Sequence, residues 1–202
     1  SGAKTLVRTG GNSPPRLAAV ERSSLKTGSF VDLATSTRSR ADFTVIATVG
    51  IDALQNIFIL NIHRGRWEWP DAYEAIVQEV LSQKVLLLGV ETAGYQLSSF
   101  QELIRDSRLK SLAIFPVPVN SDKVSRSLLV SARAANGKLY YNRQGAWAET
   151  LISEFINFPG GKHDDILDAV CGCVELLNNF QAEAPVVSPG VPRRHSKWRG
   201  RS

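Results

Sequence analysis

His163-Asp164-Asp165-Ile166-Leu167-Asp168-Ala169 follows Phe158-Pro159-Gly160-Gly161-Lys162, a flexible approach to a defined start, and the pattern predicts a long helix over 163–180. Asp164 stands where a carboxylate can accept from the free N–H groups of a first turn. Asp165 and Asp168 are three apart, so a helix sets them on one face, one turn from each other. Two further acids close apolar runs: Asp32 follows Phe30-Val31, and Glu91 follows Val85-Leu86-Leu87-Leu88-Gly89-Val90. A carboxylate at the end of a buried strand is costly unless something cationic compensates it. Three such sites on one chain point to a shared cation, and oxygen ligands without a His/Cys set point to Mg²⁺ or Mn²⁺. Two such ions roughly 4 Å apart activate water and stabilise the departing oxygen of a phosphodiester. Without them, several close carboxylates repel one another and partly protonate.

The elements around these acids set the expected fold. Residues 29–33, 43–49 and 56–64 read as three strands with short connections, an antiparallel meander. Residues 70–83 have helical spacing with Pro70 near the start. The continuous apolar run 85–90 marks a strand buried on both faces. A helix over 96–108 and a strand over 111–119 complete a β-α-β-α-β rhythm, which favours parallel strands with helical crossovers. Helices over 121–134 and 147–156 flank a short extended piece at 138–141. The expectation is an α/β sandwich on a five-stranded mixed sheet flanked by helices. If its first and fourth strands are neighbours, Asp32 and Glu91 approach, and the face bearing Asp165 and Asp168 completes a cage of oxygen ligands.

The 43% hydrophobic and 21% charged content is that of an ordinary globular chain. No apolar run reaches membrane-spanning length, and the N-terminus lacks the features of a signal peptide, so neither a membrane location nor secretion is expected. The opening Ser1-Gly2 and the absence of methionine point to a fragment or processed chain. Cys171 and Cys173, two apart in a helix, point to different faces and read as small core residues in a reducing compartment. Residues 1–27 read as a connector with a short helical or extended patch near 17–22, residues 28–181 as the folded domain, and 182–202 as a basic, flexible tail. That tail carries Arg193, Arg194, Lys197, Arg199 and Arg201 without an acid after Glu183. These five account for the whole net charge of +5, leaving the body formally neutral. There is no internal repeat and no Gly-x-x-x-x-Gly-Lys-[Ser/Thr] loop, so no ATPase activity is expected of this piece.

Val31-Asp32-Leu33-Ala34, then Ser39-Arg40-Ala41-Asp42-Phe43-Thr44, then Gly89-Val90-Glu91, then His163-Asp164-Asp165-x-x-Asp168-Ala169 together resemble the nuclease half of a tailed-phage large terminase. The resemblance covers most of 29–177 and is strongest in the last element. It implies a ribonuclease-H-like (integrase superfamily) fold and two-metal cleavage of double-stranded DNA. It further implies an ATPase domain upstream in the natural chain, which agrees with the missing phosphate loop. Such proteins package concatemeric viral DNA and cut it, with a portal and a small terminase subunit as partners in the host cytoplasm. Carried over, Asp32 is the acid that bridges both metals and Glu91 the ligand on the second strand. Asp165 and Asp168 are both candidates for the helix-borne acid. Asp164 and His163 are expected beside them, as are turn or supporting roles for Asp42.

On a neutral body, DNA affinity must come from local patches, the metals and the tail. Lys123 and Arg126 share a helix face and lead the candidates, in a Lys-x-x-Arg element of the kind terminases carry. Arg38 and Arg40 follow Asp32 closely and come next, ahead of Arg133, Lys138 and Arg143. Trp67 and Trp69, beside Arg64 and Arg66, read as a hydrophobic cover at a strand end. No stacking pattern or recognition helix appears, so cutting with little sequence preference is expected. Two alternatives stand beside this reading: a junction resolvase or integrase-type nuclease, and a DNA-clamping or portal-docking module inactive in isolation.

Overall fold

The computed structural model describes residues 4–9, 17–34, 43–92, 96–118, 123–158, 160–161 and 164–180. β1 (Lys4–Thr9) and β2 (Leu17–Glu21) form an antiparallel hairpin within the stretch expected to connect. β3 (Lys26–Asp32), β4 (Thr44–Ile51) and β5 (Ile57–Gly65) form the expected meander. Then come α1 (Trp69–Gln83), β6 (Leu87–Thr92), α2 (Gln96–Arg105) and β7 (Ala113–Pro118). The described chain ends with α3 (Lys123–Ala135), β8 (Leu139–Tyr141), α4 (Ala148–Asn157) and α5 (Asp165–Asn179).

All eight strands join one sheet in the order β2-β1-β8-β5-β4-β3-β6-β7. The expected five-stranded sheet is the part from β5 to the β7 edge, in which β6 pairs parallel to β3 and β7 parallel to β6. Three more strands lengthen the β5 edge. β8 pairs parallel to β5, and β1 pairs antiparallel to β8. These pairings are distant in sequence, and a three-residue strand carries too little alternation to announce itself.

Side chains alternate between the faces of a strand, and the two faces belong to two cores. Phe30, Val45, Ala47 and Val49 pack with Ile166, Leu167, Val170, Cys173 and Leu177 of α5. Val31, Ile46, Leu88 and Val90 pack on the other side, with Ile76, Val77 and Val80 of α1 and Leu103 of α2. On that second side Glu79 of α1 is buried but well supplied with donors. Thr48 Oγ1 donates to it at 2.7 Å and Asn61 Nδ2 at 2.9 Å, and His63 Nε2 lies 2.9 Å away.

α5 lies across β3 and β4, and a glycine sets how closely. A Cβ on Gly172 would sit 2.7 Å from Cζ of Phe30, and one on Gly89 of β6 would sit 2.8 Å from Cδ2 of the same ring. The ring is wedged between helix and neighbouring strand, which fixes the height of α5 above the sheet. Among the described residues, no helix is long and apolar enough to cross a membrane.

Candidate active site

Strand register carries the first two acids to one place. Val31 pairs with Val90 across the parallel β3–β6 ladder. Asp32 and Glu91, the next residue on each strand, therefore leave the sheet side by side. Asp32 also stands opposite Val45, and Val45 opposite Arg64. Four adjacent strands thus present Glu91, Asp32, Val45 and Arg64 in one row. Alternation fixes the face, because Asp32 shares it with Phe30, which packs under α5. The first turn of α5 brings Asp165 and Asp168 to the same end of the sheet.

The charges confirm the convergence. Burial and a hydrogen bond with Glu91 push the Asp32 carboxyl well above the usual carboxylate range, and the negative charges of Glu91, Asp168 and Asp165 push it further. Three acids, one from the neighbouring strand and two from the helix, thus act on Asp32. A hard divalent cation fits this donor set, since it would relieve that repulsion. The distances are looser than the charges. Among the described residues, no group of three or more His, Cys, Asp or Glu side chains is gathered closely enough to hold an ion.

Asp165 Oδ2 accepts from Arg64 Nη2 at 3.0 Å. The Arg64 guanidinium lies 3.6 Å from the centre of the Phe43 ring, and that of Arg66 lies 4.1 Å from it. Below this pair, Glu154 of α4 holds the start of α5. Its Oε2 accepts from the backbone N–H of Ile166 at 2.9 Å and of Leu167 at 3.0 Å. Burial pushes the Glu154 carboxyl upward, opposed by those two amides and by Arg64. Asp164 occupies the N-cap position, but its side chain makes no cap hydrogen bond. The expected cap thus comes from a different helix, because Asp164 has an irregular backbone (φ −137°, ψ 12°) while Glu154 meets the free amides head-on.

Of the residues singled out from sequence, Asp32, Glu91, Asp165 and Asp168 come together, with Asp164 adjoining. Arg126 of α3 lies farther along α5, lining a cavity of about 270 Å³ with Ser125, Leu129, Cys171, Glu175 and Asn178. Arg143 is exposed in the turn after β8, and among the described residues nothing links it to the acids. His163, Asp42, Arg38 and Arg40 lie outside the described residues, as do the side chain of Lys123 and the tail. Sequence reasoning missed the roles of Arg64, Phe43 and Glu154. A signal existed for Glu154, three residues after Leu151 on the apolar face of α4, where an acid is out of place. Trp67 and Trp69 do cover a strand end, packing against the core beneath α1.

The family model described as the terminase RNaseH-like domain matches residues 30–176. No curated protein matches the chain. Among solved structures, the fowlpox virus resolvase in complex with Holliday junction DNA is similar at 11% identity. That likeness covers 75% of this chain and 97% of the resolvase, with a TM-score of 0.45. RuvC of T. thermophilus, also with a Holliday junction substrate, is similar at 6% identity over 73% of this chain and 90% of that one, with a TM-score of 0.44.

Proposed function

The chain belongs to the terminase RNaseH-like domain family and has an RNase H-like fold, and we propose that it is a metal-dependent endonuclease that cuts double-stranded DNA. The observation that carries this reading is the register that sets Glu91 beside the half-buried Asp32, with Asp165 and Asp168 acting on the same carboxyl. Such a cluster is unfavourable unless a cation is shared, and phosphodiester hydrolysis uses that cation. Mg²⁺ or Mn²⁺, two ions with Asp32 between them, would supply an activated water and neutralise the departing oxygen. Asp32 and Glu91 would hold the ions from the sheet edge, and Asp165 and Asp168 from the helix.

The chain's own residues position the substrate. Arg126, Lys123, Arg38, Arg40 and Arg143 are the proposed phosphate contacts, which neutralise the backbone without reading sequence. Within this reading the substrate is concatemeric viral DNA, cut during packaging in the host cytoplasm. An ATPase domain of the same natural chain, a portal and a small terminase subunit are its partners. A second reading draws on one observation, that among the described residues no three acids are gathered to hold an ion: a DNA-clamping module whose acids are structural.

Supercoiled plasmid incubated with Mn²⁺ or Mg²⁺ separates the two. The nuclease nicks and linearises it, EDTA stops the reaction, and Asp32→Ala abolishes it. Metal-independent nicking, or full activity in Asp32→Ala, sinks the proposal. DNA binding without cutting under either metal favours the clamp.

A further inference from the structure

Two charged residues outside the four acids converge on one turn. Glu154 is only 5% exposed, and its two hydrogen bonds go to the backbone of Ile166 and Leu167. Those residues lie between Asp165 and Asp168, so Glu154 grips the backbone of the turn whose side chains are the two helix-borne acids. Two free amides and the positive end of a helix dipole both favour a carboxylate there. Arg64 grips the same turn by its side chain, through the 3.0 Å bond to Asp165 Oδ2. Its guanidinium is itself held against Phe43 at 3.6 Å and stands in the strand row that contains Val45 and Asp32. The two groups meet: Arg64 and Glu154 line one cavity of about 480 Å³ together with Thr150, Ser153 and Asn157. At the site α5 is therefore joined to α4 by a carboxylate and to the sheet by a guanidinium, neither of which is among the four acids.

We propose that Glu154 and Arg64 are positioning residues for the acids of α5. Glu154 sets the backbone of the first turn, and Arg64 sets the direction of the Asp165 carboxylate, so that the helix acids face Asp32 and Glu91. The proposal rests on the reading of those acids as metal ligands. It differs from a plain helix cap in one consequence: disturbing either residue changes the affinity for the ion and not only the stability of the fold. Groups that orient metal ligands typically account for 10–100-fold in affinity or activity.

The test is calorimetric titration of Mn²⁺ into the DNA-free protein, beside NMR hydrogen exchange of the Ile166 and Leu167 amides. Wild type is compared with Glu154→Ala, Glu154→Gln, Arg64→Gln and Asp32→Asn. Glu154→Ala is expected to weaken Mn²⁺ binding roughly 10–100-fold and to speed exchange at both amides. Glu154→Gln keeps an acceptor oxygen for those amides and restores most of both losses. Arg64→Gln weakens Mn²⁺ binding and leaves amide protection in place; because it leaves the helix cap intact, it tests the proposal even if Glu154→Ala does not fold. Unchanged Mn²⁺ affinity in folded Glu154→Ala, with Asp32→Asn impaired, overturns the positioning role and leaves the nuclease reading standing. Tighter binding by Arg64→Gln overturns the role of Arg64, since the guanidinium then competes with the ion. Equal Mn²⁺ binding by wild type and Asp32→Asn removes the metal site itself, and both readings fall.

Discussion

Asp32 ends β3 beside Glu91 of the parallel strand β6, and a hydrogen bond between these two acids helps to push the Asp32 carboxyl up. Such a bond requires a proton between them, and burial with two further carboxylates nearby keeps it there. In an unfolded chain Asp32 titrates near 4, whereas in the fold its carboxyl holds the proton to higher pH. Its contribution to stability is thus fully present below about pH 4 and is lost as pH rises through the folded value. In EDTA, the melting temperature is expected to fall as pH rises above the usual carboxylate range. Asp32→Asn flattens that fall and melts higher than wild type at the alkaline end. Mn²⁺ raises the melting temperature of wild type and leaves the variant unmoved, by mass action on the folded state alone. An identical pH slope in the two proteins contradicts the shared-proton pair.

On the opposite face of the sheet, His63 leans on Glu79, and that hydrogen bond raises its pKa against the opposing effect of burial. Burial pushes the Glu79 carboxyl up, but the hydrogen bonds from His63, Thr48 and Asn61 prevail and hold it below the usual range. The His63 contribution is present below its unfolded value near 6.5 and is lost as pH rises through the folded one. NMR titration should place His63 above 6.5 in wild type and return it there in Glu79→Gln. The His63 ring is 46% exposed, so solvent screening leaves His63→Gln costing less than about 1 kcal/mol. Glu79→Ala costs more, about 1–3 kcal/mol for each buried partner left unpaired, as urea denaturation would measure.

Gly172 supplies a prediction whose sign is diagnostic. Ala for Gly in an ordinary helix interior stabilises by up to about 1 kcal/mol. Here the new methyl would meet the Phe30 ring at 2.7 Å, so Gly172→Ala is expected to destabilise by about 1–3 kcal/mol. Because it lifts α5, it also lowers cleavage at saturating metal. A stabilised variant would show that α5 has freedom to shift.

Cys171 and Cys173 are buried and unpaired, and burial first of all pushes both thiols up to about 12. Since the thiolate is the reactive form, neither should react with a thiol reagent at pH 8 while the protein is folded. Both should react at once in denaturant. Fast modification of the native protein would contradict the packing of α5 on β3, where Cys173 Sγ donates to Gly28 O.

The acids were legible in the sequence because carboxylates terminating apolar runs conflict with burial, and such conflicts tend to mark function. The meander and the parallel additions were legible from period and run length. What local pattern could not carry was pairing across long separations. The β1–β2 hairpin lies in a Gly- and Pro-rich stretch, and its place beside β8 depends on a strand of three residues. The same holds at the site. Glu154 serves amides twelve residues ahead of it, and Arg64 reaches Asp165 from another layer of the fold. Arg64 looks like a surface charge, and Glu154 only like an acid out of place on an apolar face, until the tertiary structure supplies their partners.

α5 follows every described strand yet carries two of the four acids. Synthesis runs from the N-terminus, so a growing chain holds Asp32 and Glu91 on its sheet edge long before the helix that answers them emerges. As a nuclease, the protein would therefore be harmless while unfinished. On that reading the site would be complete only once the first turn of α5 has emerged, and a product truncated ahead of Asp165 would lack two of the four acids.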